Sequence, residues 1–334
     1  MIRVFTACLA VAALVGIASP AFAYDYIELT ISNRKDYVFD SNGILYITAG
    51  SAIQRYDTNA GAYLDPFLIG GNLIGIDISP DGQFLAVADV TTQGSNNRIF
   101  LVDTTTGDAT EVSFKLAFGE TGTFMVAWGA DYRVLISSSF GGSGWVPLRR
   151  YDPILDETDT LPQVRQDTML TASADRLTIG LAESNISSGP VHAYDVMAGA
   201  LGAEVDLYWF TFEVAVSAQA DQFVVPTYDG AFVYAYDGSS FQYETTLGKY
   251  ANYGPVAAVF SPTANLLYTA EYGSQPGVKV YDTTTWDQVG TLDDYQFPWS
   301  GNFALGEGRM KVSPDGQWLV VSVKNGARIY SLSQ

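Results

Sequence analysis

Side chains suited to nucleophilic, acid–base or redox-metal chemistry are scarce in this 334-residue sequence. The only histidine is His192, in PVHAYD, and the only cysteine is Cys8, in an apolar N-terminal run that we expect to be removed. A Ser-His-Asp or Cys-His set needs a base beside its nucleophile, and copper or haem sites need several histidines or cysteines. We therefore predict no catalytic residue and a structural role for His192. These absences argue against an enzyme without settling the question.

Carboxylates leave one kind of metal chemistry open. Glu183 and Glu271 each follow a β-rich run, and Asn185 and Asn252 lie in loop-like segments. Carboxylate and amide oxygens bind Ca²⁺, and a bound cation can polarise an ester carbonyl. One interpretation is a site for Ca²⁺ or another divalent cation at Glu183 and Glu271. The other is that an acidic protein carries many loop carboxylates by chance. No other cofactor is predicted.

Large aromatic side chains between the β-rich runs suggest a recognition surface, because they bury much area at a small cost in conformational entropy. The candidate binding residues are Trp145, Trp209, Tyr228, Tyr253, Tyr272 and Trp299. The alternative is that several of them fill space inside the fold. Aromatic residues within the runs, such as Phe84 and Trp318, are expected in the core.

A repeat marks the elements that must position these residues. An apolar run ending in Tyr-Asp or a close variant recurs at intervals of 42 to 49 residues, at Tyr56, Val102, Tyr151, Tyr194, Tyr236, Tyr281 and Tyr330. A strand–turn–strand unit precedes each copy, and ISPDGQFLAV (78–87) nearly matches VSPDGQWLVV (312–321). Proline and aspartate favour tight turns at these positions. Each repeat therefore predicts four strands, A to D, in which C ends at Tyr-Asp. In the second repeat these are 73–78, 84–89, 98–103 and 109–116.

Four-stranded units of this length are typical of β-propeller blades. SPDG, followed by an apolar strand and a phrase such as VYDTTT, resembles the YVTN and WD40-like repeats of bacterial seven-bladed β-propellers. The resemblance covers essentially the whole chain after residue 23. It implies an all-β, seven-bladed propeller and says almost nothing about activity. The Trp-Asp and Gly-His signatures of true WD40 repeats are missing.

Closure of the ring depends on the N-terminal strand. The seventh repeat has strands A, B and C but no D, whereas YDYIELTI (24–31) precedes the first repeat and has no place in it. An unpaired sheet edge is unfavourable, so we predict that this segment is the outer strand of the last blade. The predicted blades are 32–70, 71–117, 118–165, 166–207, 208–250, 251–295, and 296–334 with 24–31.

The first 23 residues have the features of a secretory signal peptide: Arg3, an apolar run over 4–17, and the small residues Ala21 and Ala23. We expect cleavage after residue 23, a single propeller domain over 24–334, and a bacterial periplasmic or secreted location. Loss of Arg3 would lower the net charge from −19 to −20. Such a surface repels phosphate backbones and anionic lipids, so nucleic acid and membrane insertion are not expected.

The favoured function is an exported, non-catalytic binding or scaffolding propeller. In a propeller the B–C and D–A connections share one face, and the six candidate aromatic residues belong to that face. We expect it to bind a protein, peptide or glycan. One alternative is a metal-dependent lactonase or hydrolase that uses channel carboxylates to hold the cation. It requires Glu183 and Glu271, which follow B strands second from the axis, to converge on the channel. The other is a non-catalytic propeller subunit of a periplasmic redox complex whose cofactor is held by a partner.

Overall fold

All regular structure in the described part of the chain is β-strand. The computed structural model describes residues 25–183, 188–207, 210–249, 254–273, 275–297 and 309–332, and the predicted signal peptide lies outside them. Within these ranges, 28 strands form seven antiparallel sheets of four strands each. The predicted seven-bladed β-propeller is thereby confirmed. In the same ranges we find no helix with the length and apolar character needed to cross a membrane.

The strands follow the chain from blade to blade. Strand β1 (Tyr26–Thr30) comes first but belongs to the last blade. The first blade contains β2 (Arg34–Phe39), β3 (Ile44–Ala49), β4 (Ala52–Asp57) and β5 (Ala62–Leu68). The second contains β6 (Leu73–Ile78), β7 (Phe84–Asp89), β8 (Asn96–Asp103) and β9 (Ala109–Lys115). The third contains β10 (Glu120–Trp128), β11 (Val134–Phe140), β12 (Trp145–Asp152) and β13 (Glu157–Arg165).

The remaining blades repeat this arrangement. The fourth contains β14 (Met169–Ala172), β15 (Thr178–Ala182), β16 (Gly189–Asp195) and β17 (Ala200–Leu207). The fifth contains β18 (Ala215–Val216), β19 (Gln222–Thr227), β20 (Gly230–Tyr236) and β21 (Phe241–Leu247). The sixth contains β22 (Pro255–Phe260), β23 (Leu266–Glu271), β24 (Gly277–Asp282) and β25 (Gln288–Asp293). The seventh contains β26 (Met310–Val312), β27 (Trp318–Val323) and β28 (Gly326–Ser331), completed by β1.

The first strand of every blade lies innermost, and these A strands form a closed ring. Each contacts its neighbours in the order β2, β6, β10, β14, β18, β22, β26 and back to β2. Adjacent A strands approach so closely that a Cβ on Gly75 would stand 2.7 Å from the Phe124 carbonyl oxygen. The buried apolar residues lie between the blades, where facing sheets interdigitate.

The A–B turns of the second and seventh blades share one hydrogen-bond pattern. The Ser79 hydroxyl donates to the Asp81 carboxylate at 2.6 Å and accepts from the Phe84 N–H at 3.0 Å. In the seventh blade, Ser313 makes the corresponding bonds to Asp315 and Trp318 at 2.5 and 2.9 Å. This pattern explains why the phrase recurs, because each polar group of the turn is satisfied by a residue of the turn itself.

Phe84 corrects one expectation about the core. It starts β7 directly after this turn and is 39% exposed, so it is not a core residue. Trp318, at the same place in β27, is half-buried and packs against the core between the seventh and first blades. The first residue after the turn therefore lies at the edge of the ring and is only partly covered.

The aspartate of Tyr-Asp closes the C–D turn. Asp237 Oδ1 accepts the N–H groups of Ser239 and Ser240 at 2.9 and 2.8 Å, and Asp103 does the same with Thr105 and Thr106. These bonds favour the charged carboxylate. They hold the pKa of Asp237 down to about 2, with the Ser239 N–H as the largest cause, and they also lower the pKa of Asp103.

The ring is closed by β1. It pairs antiparallel with β28 over five residues, from Tyr26 opposite Tyr330 to Thr30 opposite Gly326. Leu29 is buried between the seventh and first blades, beside Leu45 and Val320. The N-terminal strand thus contributes backbone hydrogen bonds to one blade and apolar contacts to the next.

Leu29→Ala tests this closure. Removing a buried leucine side chain is expected to lower the free energy of unfolding by about 2–5 kcal/mol. Leu68→Ala is the matched control, because Leu68 is also in an outer strand but is 81% exposed; its effect should stay within about 0.5 kcal/mol. The measurement is urea unfolding followed by fluorescence. Equal effects of the two substitutions would contradict a packed closing strand.

Asp237→Asn tests the turn aspartates. The carboxylate pKa is lower in the folded than in the unfolded chain, so its stabilising effect is present above about pH 4 and is lost as pH falls towards about 2. The asparagine keeps the acceptor oxygen but does not titrate. The wild type should therefore have the higher Tm at about pH 5, and the difference should shrink towards about pH 2. Calorimetry over this range checks it, and a difference independent of pH would refute the assignment.

Candidate functional site

The predicted aromatic face divides into exposed and packed residues. Trp145 starts β12 and is 54% exposed. Tyr228, in the β19–β20 connection, is half-buried and packs edge-to-face on Phe210 and Phe212, with ring centroids 5.5 and 5.0 Å away. Tyr272 is half-buried against the core of the sixth and seventh blades. Trp209, Tyr253 and Trp299 lie outside the described residues. Trp145 is thus the most exposed of the three described candidates.

Phe118 belongs to this face and was missed by sequence reasoning. It lies in the connection from β9 to β10 and is 95% exposed. The Gly141 N–H donates to the Gly119 carbonyl at 2.8 Å, which joins this connection to the loop that precedes Trp145. The Phe140 ring lies so close to Gly119 and Gly144 that neither could carry a Cβ without a shift. Phe118, Phe140 and Trp145 therefore mark one aromatic corner between the second and third blades, the rim corner.

Glu183, the first predicted metal ligand, is held by protein groups. Its Oε1 lies 2.8 Å from His192 Nε2, and its Oε2 accepts the Arg165 N–H at 3.1 Å. Glu183 and His192 are both buried. The carboxylate therefore connects β16 of the fourth blade with the end of β13 in the third.

Glu271, the second predicted ligand, is fully buried in the sixth blade. It accepts hydrogen bonds from the Tyr281 hydroxyl at 2.7 Å and the Thr269 hydroxyl at 3.0 Å. Asn185 and Asn252 lie outside the described residues. In the part of the chain that the structure describes, no three His, Cys, Asp or Glu side chains are grouped to hold a metal ion. The divalent-cation site stays a prediction.

A cavity of about 480 Å³ occupies the channel between the inner strands. Its walls come from all seven blades, and its outer end is lined by A–B turn residues that include Pro80, Pro262 and Pro314. It therefore opens on the face opposite the rim corner. Its size lies within the range of about 300–1,000 Å³ that is usual for small-molecule sites. Its charged lining residues are Asp40, Asp77, Asp81, Arg176, Glu213 and Lys311.

An ion-pair cluster lies towards the opposite end of the A strands. Arg309 is fully buried and donates from Nε to Asp36 Oδ1 at 3.0 Å, and it also pairs with Glu213. Asp36 in turn accepts the Ile76 N–H at 3.2 Å. Because these residues belong to the first, second, fifth and seventh blades, the cluster connects blades that are not all neighbours.

A second ion pair crosses the wall near the A–B turns. Arg176 donates from Nη1 and Nη2 to the two oxygens of Asp77, at 2.7 and 3.2 Å, and from Nη1 to the Trp128 carbonyl at 3.1 Å. Arg176 occupies the turn position that Gly82 holds in SPDG, with φ of 58° against 74°. This left-handed conformation is unfavourable for a side chain larger than glycine, and it persists where the surroundings enforce it. Here it brings the guanidinium to Asp77.

Lys311, the middle residue of β26, lies on the cavity wall between these two ion pairs. Burial lowers the pKa of its ammonium group to about 8; Arg309 and Arg176 lower it further, whereas Asp36 and Asp77 raise it. A cation with a lowered pKa, inside a cavity of ligand size, is a candidate binding group. Sequence reasoning missed it, although charged residues within apolar inner strands, such as Asp36, Asp77 and Lys311, were a visible signal.

The comparisons with known proteins support the architecture. The chain is similar to the hydrazine synthase of Kuenenia stuttgartiensis, with a TM-score of 0.67, 14% identity, and coverage of 92% of this chain and 97% of that one. It is similar to the β-propeller domain of Cps50 (Swd1) from Myceliophteria thermophila, with a TM-score of 0.70, 11% identity, and coverage of 92% and 100%. It is also similar to the Dos1 propeller, with a TM-score of 0.65, 18% identity, and coverage of 90% of this chain and 78% of that one.

These similarities show the fold alone, because every identity is far below the level at which activity could be inferred. No protein-family model matches the sequence, and no match was found among curated proteins. The function must therefore be argued from the two surfaces described above, the rim corner and the channel cavity.

Arg309→Met tests the buried cluster. Removing the cation leaves Asp36 and Glu213 buried without their partner, which is expected to lower the free energy of unfolding by about 3–5 kcal/mol. A triple variant that adds Asp36→Asn and Glu213→Gln should recover part of this loss, because no charge then remains unpaired. Arg133→Met, at a partly exposed ion pair with Asp152, should cost no more than about 1 kcal/mol. Urea unfolding measures all three, and an effect of Arg309→Met no larger than this control would contradict the role of the cluster.

Proposed function

We propose that this protein is a non-catalytic binding or scaffolding β-propeller that presents its B–C and D–A face to a protein partner. The observation that carries the proposal is the rim corner, where Phe118 is almost fully exposed and Trp145 more than half exposed. Exposing such rings to water costs free energy that a partner surface recovers on binding.

The construction of the rim corner favours recognition over simple core packing. The Gly141–Gly119 hydrogen bond and the Phe140 ring beneath the two loops hold the corner in place. A preorganised aromatic surface loses little conformational entropy when it binds, and such residues are common at the centres of protein interfaces. The net charge of −19 favours a partner with basic residues around its apolar contact, because opposite charges accelerate association.

Location and family belong to the same proposal. Arg3, the apolar run and the Ala21–Ala23 site support export from a bacterial cell, and the SPDG and Tyr-Asp phrases support membership of the YVTN-type propellers. A binding protein of the periplasm or medium would meet peptide or glycan partners as well as proteins. An N-terminus that begins at residue 24, measured by mass spectrometry of the secreted or periplasmic protein, would support export.

The metal-dependent hydrolase receives less support. Glu183 and Glu271 belong to different blades, and each already accepts hydrogen bonds from protein donors. A divalent cation would have to compete with those donors. The binding proposal needs no rearrangement of the described residues.

Site-specific photo-crosslinking in the native host tests the rim corner. A photo-reactive phenylalanine analogue at position 118 or 145 should give a discrete protein adduct, whereas the same analogue at position 154 or 197 should not. Ile154 and Met197 are the matched controls, because both are exposed residues of C–D turns on the opposite face. Trp145→Ala should reduce the adduct from position 118 by about tenfold or more, since interface aromatics are often worth over 1 kcal/mol. Adducts from the control positions alone, or from none of the four, would contradict the proposal.

A further inference from the structure

Lys311 is the one cation of the channel whose charge is not balanced by a close partner among the described residues. Arg176 is engaged with Asp77, and Arg309 with Asp36 and Glu213. The Lys311 ammonium group makes no hydrogen bond or ion pair within the described ranges, although it lines the cavity. The acidic groups nearest to it in the channel are therefore already paired with arginines.

Lys311 is half-buried, so its ammonium group has lost part of its hydration and gained no protein hydrogen bond in exchange, which costs free energy. A ligand that supplies an anionic acceptor would recover this loss. The ion pairs of Arg176 and Arg309 favour such an anionic ligand. They engage Asp36, Asp77 and Glu213, so the N–H donors of Lys311 stay available to the ligand.

The walls of the cavity indicate the rest of the ligand. Aliphatic side chains from several blades line it, including Val38, Met125, Leu170 and Val259. Its volume of about 480 Å³ is much larger than a simple inorganic anion requires. The mouth carries Asp40 and Asp81, which repel ligands of high negative charge. A single negative charge on an apolar body fits these walls best.

We propose that the channel cavity binds a small organic monocarboxylate, with its carboxylate at the Lys311 ammonium group and its apolar body against the aliphatic wall. The site opens on the A–B face. It is therefore separate from the rim corner, and its failure would leave the proposed function untouched.

Binding at this position is coupled to protonation. Binding needs both the ligand carboxylate and the ammonium group to be charged, so affinity should be constant between about pH 6 and pH 8 and fall about tenfold per unit above that range. The lowered pKa of Lys311 reflects its burial first and then its charged neighbours. The charged groups that line the channel with it are Asp40, Asp77, Asp81, Arg176 and Glu213, and the Asp36 and Arg309 charges also act on its ammonium group.

Isothermal titration of the full chain with octanoate, benzoate and sulfate tests the proposal. We expect octanoate or benzoate to bind with a stoichiometry near one at about pH 7 and sulfate to bind far more weakly. Lys311→Met, which keeps most of the length and the apolar stem of the side chain, should lower the affinity for the carboxylate by about 10- to 100-fold. Lys249→Met, at an exposed lysine outside the cavity, should leave the affinity unchanged.

A measurement on the wild type covers the case in which a variant fails to fold. Octanoate should protect Lys311 from acetic anhydride while Lys249 stays reactive, as read by mass spectrometry of the digested protein. Binding that survives Lys311→Met unchanged, tighter binding of sulfate than of octanoate, no binding of either carboxylate, or equal labelling of Lys311 with and without octanoate would each overturn the proposal.

Discussion

Pairing of β1 with β28 is the interaction on which the rest of the structure depends. It turns a row of blades into a ring, because the first described strand completes the last sheet. Without this pairing β28 would be an open edge, and the inner strands of the first and seventh blades would lose the contact that closes the channel wall. Both candidate sites need that closure: the cavity because its wall includes all seven blades, and the rim corner because its loops stand on packed sheets.

The strands could be predicted from the sequence because their boundaries are set by local chemistry. In the second blade the expected strands 73–78 and 84–89 coincide with β6 and β7, and 98–103 and 109–116 differ from β8 and β9 by two residues or fewer. Ser-x-Asp turns, and the aspartate at the end of the C strand in the first six blades, satisfy backbone groups of their own turns, so they act alike wherever they occur. Phe84 shows the limit of this reasoning. Its apolar type predicted burial, but exposure at the end of a strand is decided by neighbouring turns.

The candidate sites could be predicted only in part. Trp145 was found because an aromatic residue beside glycines in a loop is conspicuous, whereas Phe118 becomes notable only when Gly119 is seen to bond the neighbouring loop. The size and lining of the cavity could not be foreseen, since its lining residues come from seven distant segments. The signal that the sequence did offer was the presence of charged residues within apolar inner strands, such as Asp77 in LIGIDI and Lys311 in MKV.

The two arginine pairs also bear on how such a ring can evolve. Asp77 and Arg176 belong to the second and fourth blades, and Glu213 and Arg309 flank the fifth and seventh, so each pair bridges over a single intervening sheet. Duplication or loss of the third or sixth sheet would separate the partners or press them together. A chain that gained or lost the third or sixth blade would therefore also lose the ion pair that spans it. These two ion pairs thus favour seven blades, in addition to the packing of the sheets.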